Sequence, residues 1–156
     1  PRIGAMMQQP GPAFGGCGRY YGRIVDLCLQ DRDKWVVIDF HTAYDLPALT
    51  LARRLLRLDA ETGLVTLIDH FTFAGAPLPV EEVFVTWGEV TIETGAVRID
   101  GQRHALRLEA PGIQFQVEYL EAASLANERS LVLKRITAQA SGSEFRLSIT
   151  PILHEL

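Results

Sequence analysis

The stretch LRLEAPGIQFQVEYL, residues 106–120, decides the fold class. Leu106 and Leu108, then Ile113, Phe115, Val117 and Tyr119, fall on every second position, with Arg107, Gln114, Gln116 and Glu118 between them. A period of two puts the first set on one face of a strand and the second on the other, so one face is apolar and the other wet. Pro111-Gly112 interrupts the pattern with one residue of fixed φ and one that tolerates positive φ, which is turn chemistry. Phe145, Leu147 and Ile149, alternating with Glu144, Arg146 and Ser148, repeat the pattern near the end.

Working outward, Val, Ile, Leu, Phe and Thr-rich segments recur at a spacing of about ten residues, as in sandwiches and barrels. The segments read as strands are Tyr20 to Leu29, Lys34 to Thr42, Thr50 to Asp59, Leu64 to Phe73, Glu82 to Trp87, Val90 to Ile92, Ala96 to Ile99, Ala105 to Glu109, Ile113 to Leu120, Ser130 to Gln139 and Glu144 to Ile149. Turn residues separate them: Asp31-Arg32-Asp33, Ala60 to Gly63, Ala74 to Pro77, Glu93-Thr94-Gly95, Asp100-Gly101, Pro111-Gly112 and Ser141-Gly142-Ser143. Asp100-Gly101 is a strong hairpin signal. Ala48 to Leu58 (ALTLARRLLRL) also suits a helix by propensity, but it fits a two-sided pleat and is read as a strand. The expected fold class is therefore all-β, an antiparallel two-sheet β-sandwich with about ten short strands. Residues 1–18, rich in Gly, Pro and Gln, are expected to form an irregular lead-in, and residues 19–156 a single sandwich domain.

Composition narrows the function classes. The chain has 156 residues, 47% of them hydrophobic, which is enough for one core without staples. No apolar run approaches the ~20 residues of a spanning helix, so no membrane partner is expected. Fifteen basic against nineteen acidic residues, a net charge of −4, leave no electrostatic footprint for nucleic acid. Cys17 and Cys28 make neither a disulfide framework nor a zinc spacing and read as two thiols. The opening Pro1-Arg2-Ile3 lacks both an initiator methionine and the succession of a signal peptide, and reads as the start of an excised piece or of a tagged chain. The compartment of the parent cannot be read from it.

Chemistry-bearing motifs are sparse. The histidines His41, His70, His104 and His154 stand at no i, i+2 or i, i+4 spacing, so no local metal pair is expected. His41 (IDFHTAYD) and His70 (LIDHFTF) each follow an aspartate, a pattern open to a carboxylate-oriented base and equally to a hydrogen-bonded strand-end histidine. There is no G-x-S-x-G elbow, and Gly15 to Gly18 lacks the ending of a phosphate loop. Arg53, Arg54 and Arg57 offer guanidinium forks for carboxylate or sulfate, though alternation sends Arg54 to the face opposite Arg53 and Arg57. Tyr20, Tyr21, Trp35, Tyr44 and Trp87 are sugar-stacking candidates weighed against ordinary core aromatics. The residues alone thus give a β-sandwich with no catalytic residue, no metal ligand and no cofactor motif.

An order of motifs adds to this. PRIGAMMQQPG, then IDFHTAYDLPALTLARRLLRLDAETGLVTLIDHFTF, resembles the "D-x-T-x-A-Y … R-x-x-x-L … G-x-V-x-V-x-D-x-F" progression of the heparinase II/III-like polysaccharide lyases. Its elements here are Asp39, Ala43-Tyr44, Arg53-Arg54, Gly63-Leu64-Val65 and Asp69-His70-Phe71. The later hairpins and closing strands are similar too, so the resemblance spans nearly the whole chain. It implies a bacterial parent in which an N-terminal (α/α) toroid and a β-sandwich form a cleft that cuts uronic-acid polysaccharides by β-elimination. The family's catalytic and zinc-binding segments have no match in this chain, so the resemblance implies its non-catalytic C-terminal sandwich, inactive in isolation. Its partners would be the toroid and an acidic polysaccharide, with Tyr44, Arg54 and His41 as candidate substrate contacts. The alternatives are a freestanding carbohydrate-binding module, using Tyr44 or Trp35 with Arg54, and an assembly domain that self-associates through its sheet edges.

Overall fold

The computed structural model describes residues 1–11, 13, 15–30, 32–128, 130–140 and 142–153. His154, Pro12 and Phe14 of the lead-in, and Asp31 and Ser141 of two expected turns lie outside them. Among the described residues twelve strands form two antiparallel sheets, the all-β sandwich expected from the alternation. The larger sheet has the order β2 (Arg23–Cys28), β3 (Asp33–Asp39), β4 (Leu49–Asp59), β5 (Val65–Phe73), β12 (Glu144–Leu153), β9 (His104–Glu109), β8 (Ala96–Asp100) and β7 (Glu89–Glu93). The smaller has the order β1 (Arg2–Ile3), β6 (Val80–Thr86), β11 (Leu133–Ala140) and β10 (Phe115–Leu120). Two meanders, β2 to β5 and β7 to β9, are joined edge to edge by β12, so the last strand closes the large sheet between Ile68 and Leu106.

The ambiguous segment Ala48 to Leu58 is strand β4, whose two neighbours hold it in register along its length. Four differences from the sequence reading have local causes. The lead-in is not wholly irregular: Arg2–Ile3 pairs with Glu81 and Val80, and Ile3 is fully buried. Two residues are too short for any period to show. The strand expected from Lys34 to Thr42 ends at Asp39, and His41–Ala43 forms a 3-10 turn that drops Ala43 and Tyr44 into the core. Helix α1 (Glu121–Ala126) connects β10 to β11 and delays β11 to Leu133. There the buried Ser124 hydroxyl donates to Leu120 O at 2.9 Å and accepts from Leu133 N at 2.8 Å. Finally, β12 runs past Ile149 through Pro151, because from Thr150 onward only β9 is paired with it and no β5 ladder partner is lost.

Two buried clusters fill the space between the sheets. One gathers Leu67, Val97, Leu108, Phe115, Ile136, Phe145 and Leu147; the other gathers Ile3, Phe40, Tyr44, Leu49, Phe71 and Val80. The alternation read in β10 and β12 is visible in Phe115, Phe145 and Leu147, all buried. Eight strands are wider than four, so parts of the large sheet go uncovered. Leu106 and Tyr119, although in phase with the buried Leu108 and Phe115, are exposed, as are Ile24 and Leu27 on the edge strand β2.

Candidate functional site

The sharpest polar constellation is where β3 gives way to the 3-10 turn. Asp39, the last residue of β3, is buried and faces Arg53 across the β3–β4 pair. His41 lies two residues on, with Nδ1 2.6 Å from Asp39 Oδ1, and Arg53 Nη2 is 3.6 Å from Asp39 Oδ2. Burial alone pushes the Asp39 carboxyl up, but the hydrogen bond and charge of His41, with Arg53 behind, more than offset it and hold Asp39 below the ordinary carboxylate range. An ionised Asp39 only accepts, so His41 donates from Nδ1, which leaves Nε2 as the acceptor in the neutral ring.

His41 opens onto a shallow groove of about 260 Å3 that also takes in Arg19, Tyr20, Thr42 and Asp45. Thr42 Oγ1 donates to Tyr21 O at 2.6 Å, which brings the segment before β2 against this turn. Arg19 stacks its guanidinium 5.5 Å from the Tyr20 ring centroid. Partial desolvation, then a hydrogen bond to Asp45, holds the Tyr20 phenol above its ordinary pKa and so protonated. The groove can hold an anion against Arg19 and accept a proton at His41. Arg19 and Tyr20 escaped the sequence reading as a pair with His41, because only the long-range Thr42 contact joins them.

The other two sequence candidates lie deeper. Tyr44 is buried, and its hydroxyl donates to Pro1 O at 2.6 Å; burial, then the nearby Glu82 charge, raises its pKa. Arg54 points between the sheets, on the face opposite Arg53 and Arg57. Its Nε and Nη2 donate to Asp69 at 2.8 and 2.5 Å, and Nη2 also to Glu82 Oε2 at 2.9 Å. Phe40 lies beneath the guanidinium, 5.7 Å from ring centroid to Cζ. Asp69 and Glu82 are both fully buried, and Glu82 Oε1 has no donor among the described residues. The structure therefore separates the three candidates: His41 fronts a groove, whereas Tyr44 and Arg54 belong to the interior.

His70 pairs with Glu144 at 3.5 Å on the surface, and His104 is exposed at the start of β9. Among the described residues no three His, Cys, Asp or Glu side chains are grouped to hold a metal ion. Cys17 is exposed and Cys28 half-buried, both free thiols. Around Trp35, strands β2 to β4 form a second concavity of about 430 Å3, lined by Leu27, Leu29, Val36, Leu56 and Leu58. No protein-family model matches this chain, and no curated protein matches it.

Proposed function

We propose that this chain is the non-catalytic C-terminal β-sandwich of a heparinase II/III-like polysaccharide lyase, seated against a helical body encoded with it. The observation that carries the reading is the uncovered apolar end of the large sheet. On β2 and its exit Ile24 is 62% exposed, Val25 40%, Leu27 49% and Leu29 66%. Leu27 and Leu29 also line the Trp35 concavity, where Val36, Leu56, Leu58 and Val65 stand beside Lys34 and Arg57. A contiguous apolar face of this kind marks an interface, whereas scattered exposed apolar residues do not. The motif order ending in Asp39, Tyr44, Arg53 and Asp69-His70-Phe71 supplies the family. The helical body is the occupant the resemblance implies. In this reading the His41 groove, with Arg19 at its rim, lines the polysaccharide cleft and meets uronate carboxylates.

Two features weigh against the alternatives. A glycan platform built on Tyr44 and Arg54 would need side chains that are packed in the interior. Edge pairing through β2 meets a register irregularity between Ile24 and Asp26, and Asp26 Oδ1 already accepts from Leu27 N at 2.9 Å. A bulge and a charged side chain are devices that blunt an edge. Hydrogen exchange tests the proposal: β2 and β3 amides are expected to exchange readily in this chain and to be protected in the full-length product of its gene. Equal exchange in both would overturn it.

A further inference from the structure

At the opposite edge of the large sheet, far in strand order from β2 and from His41, the β6–β7 and β8–β9 turns enclose a cleft of about 540 Å3. That volume is within the range of about 300–1,000 Å3 typical of small-ligand sites. One wall is Trp87, which follows the last residue of β6 and is 37% exposed; facing the same space is Leu131, 52% exposed. An indole more than a third exposed at a strand end, beside a second exposed apolar side chain, offers a stacking surface.

The turns that form the cleft are pressed together. A Cβ at Gly88 would stand 2.7 Å from Asp100 O, and one at Gly101 2.9 Å from His104 O. Neither position admits a side chain without moving backbone, so the cleft has firm walls. Its polar groups are Glu89, Asp100 and Gln102. The carboxylates are charge-compensated: Glu89 is 2.9 Å from Lys134 Nζ, and Asp100 accepts a forked pair of bonds from Arg98 at 2.8 and 3.0 Å. Glu89 and Gln102 face solvent and can bond hydroxyls.

We propose that the Trp87 cleft binds a neutral sugar, with the C–H face of a pyranose on the indole and its hydroxyls meeting Glu89 and Gln102. Charge chooses the class. Its lining holds two carboxylates and no Lys or Arg, and Lys134 and Arg98 are already bonded to those acids, so a uronate or sulfate would meet like charge at the cleft wall. A cationic ligand would meet acids already neutralised. The site stands independently of the lyase reading, because it occupies the other edge of the sheet from the apolar face. It would hold uncharged residues of a polysaccharide, or an uncharged glycan of another origin.

The test is a fluorescence titration of Trp35→Phe, which leaves Trp87 as the single indole of the two in the chain. The probes are cellohexaose, mannohexaose, xylohexaose, chitohexaose and maltohexaose, with a mannuronate hexamer as the charged comparison. A saturable change is expected with at least one neutral hexamer, and affinity at least about tenfold weaker for the uronate. By calorimetry on the otherwise unaltered chain, Trp87→Ala should lose about tenfold or more and Gln102→Ala several-fold, with circular dichroism unchanged. If Trp87→Ala does not fold, Gln102→Ala and Trp87→Phe carry the comparison. Flat titrations with all five neutral hexamers, equal affinity for the uronate, or affinity that survives in the Trp87 and Gln102 variants would overturn the proposal.

Discussion

Arg54 and Glu82 tie the two sheets together: the guanidinium on β4 donates from Nη2 to Glu82 Oε2 on β6 at 2.9 Å, while the same fork closes on Asp69 of β5. Removing the cation deprives the buried Asp69 and Glu82 of the guanidinium that bonds them both. Arg54→Leu is expected to cost about 3–5 kcal/mol, the loss typical of breaking a buried pair from one side. Arg54→Lys, a point charge where a fork is needed, should cost less but still be measurable. Urea unfolding followed by circular dichroism reads both, and an Arg54→Leu chain as stable as the parent would contradict this account.

The same triad sets a pH dependence. Two carboxylates share one guanidinium, and Glu82 is pushed up to about 8 by burial, helped by the charge and hydrogen bond of Asp69; Arg54 and the Pro1 amino group pull the other way without cancelling this. The ordinary glutamate value is near 4.5, so between 4.5 and about 8 the folded chain keeps a proton that the unfolded chain has released. This contribution is fully present below 4.5 and is lost as pH rises through about 8, for a total on the order of a few kcal/mol. The lowered carboxyls Asp33, Asp39 and Asp59 act on the acid side of that window. The Pro1 amino group, held below its ordinary value first by burial, acts in the opposite sense in the same range, so the comparison is with Glu82→Gln: from pH 5 to 9 the Tm of the parent should fall relative to that of the variant. A Tm difference that does not change with pH would count against a protonated Glu82.

Gly63 closes the β4–β5 turn at φ +72°, and a Cβ there would stand 2.9 Å from Pro151 Cγ of β12. Gly63→Ala therefore combines left-handed strain with a contact against a stiff ring, and a loss of about 1–3 kcal/mol is expected. Denaturant unfolding checks it; a neutral or stabilising change would mean that the turn relaxes freely.

The apolar face separates stability from assembly. Ile24→Lys and Leu27→Lys alter exposed side chains of an edge strand, so each should leave the stability of this chain within about 0.5 kcal/mol. Dye binding to exposed apolar surface should fall in the isolated variants, and the full-length gene product should lose thermal stability when it carries them. Unchanged full-length stability would show that the face is not an interface.

The legible parts of the sequence were those with a period. Alternation in β10 and β12 identified Phe115, Phe145 and Leu147 as core, and alternation in β4 separated Arg54 from Arg53 and Arg57. It did not foresee that Leu106 and Tyr119 would lie exposed, because period two assigns a face without saying whether the other sheet reaches it. The partners of Arg54 stand 15 and 28 residues away, and the association of Tyr20 with His41 depends on a turn docking onto the segment before β2. Such contacts are tertiary and leave no local signal. The 3-10 turn at His41 and the two-residue β1 were hidden for the opposite reason, being too short for a pattern.

The measurement that bears most directly on the central claim compares this chain with the full-length product of its gene on heparin, alginate and chondroitin, following the ultraviolet absorbance of unsaturated uronate. A steady rise is expected from the full-length product and none from residues 1–156. A rise from residues 1–156 alone, or none from a full-length product carrying a helical domain, would contradict it.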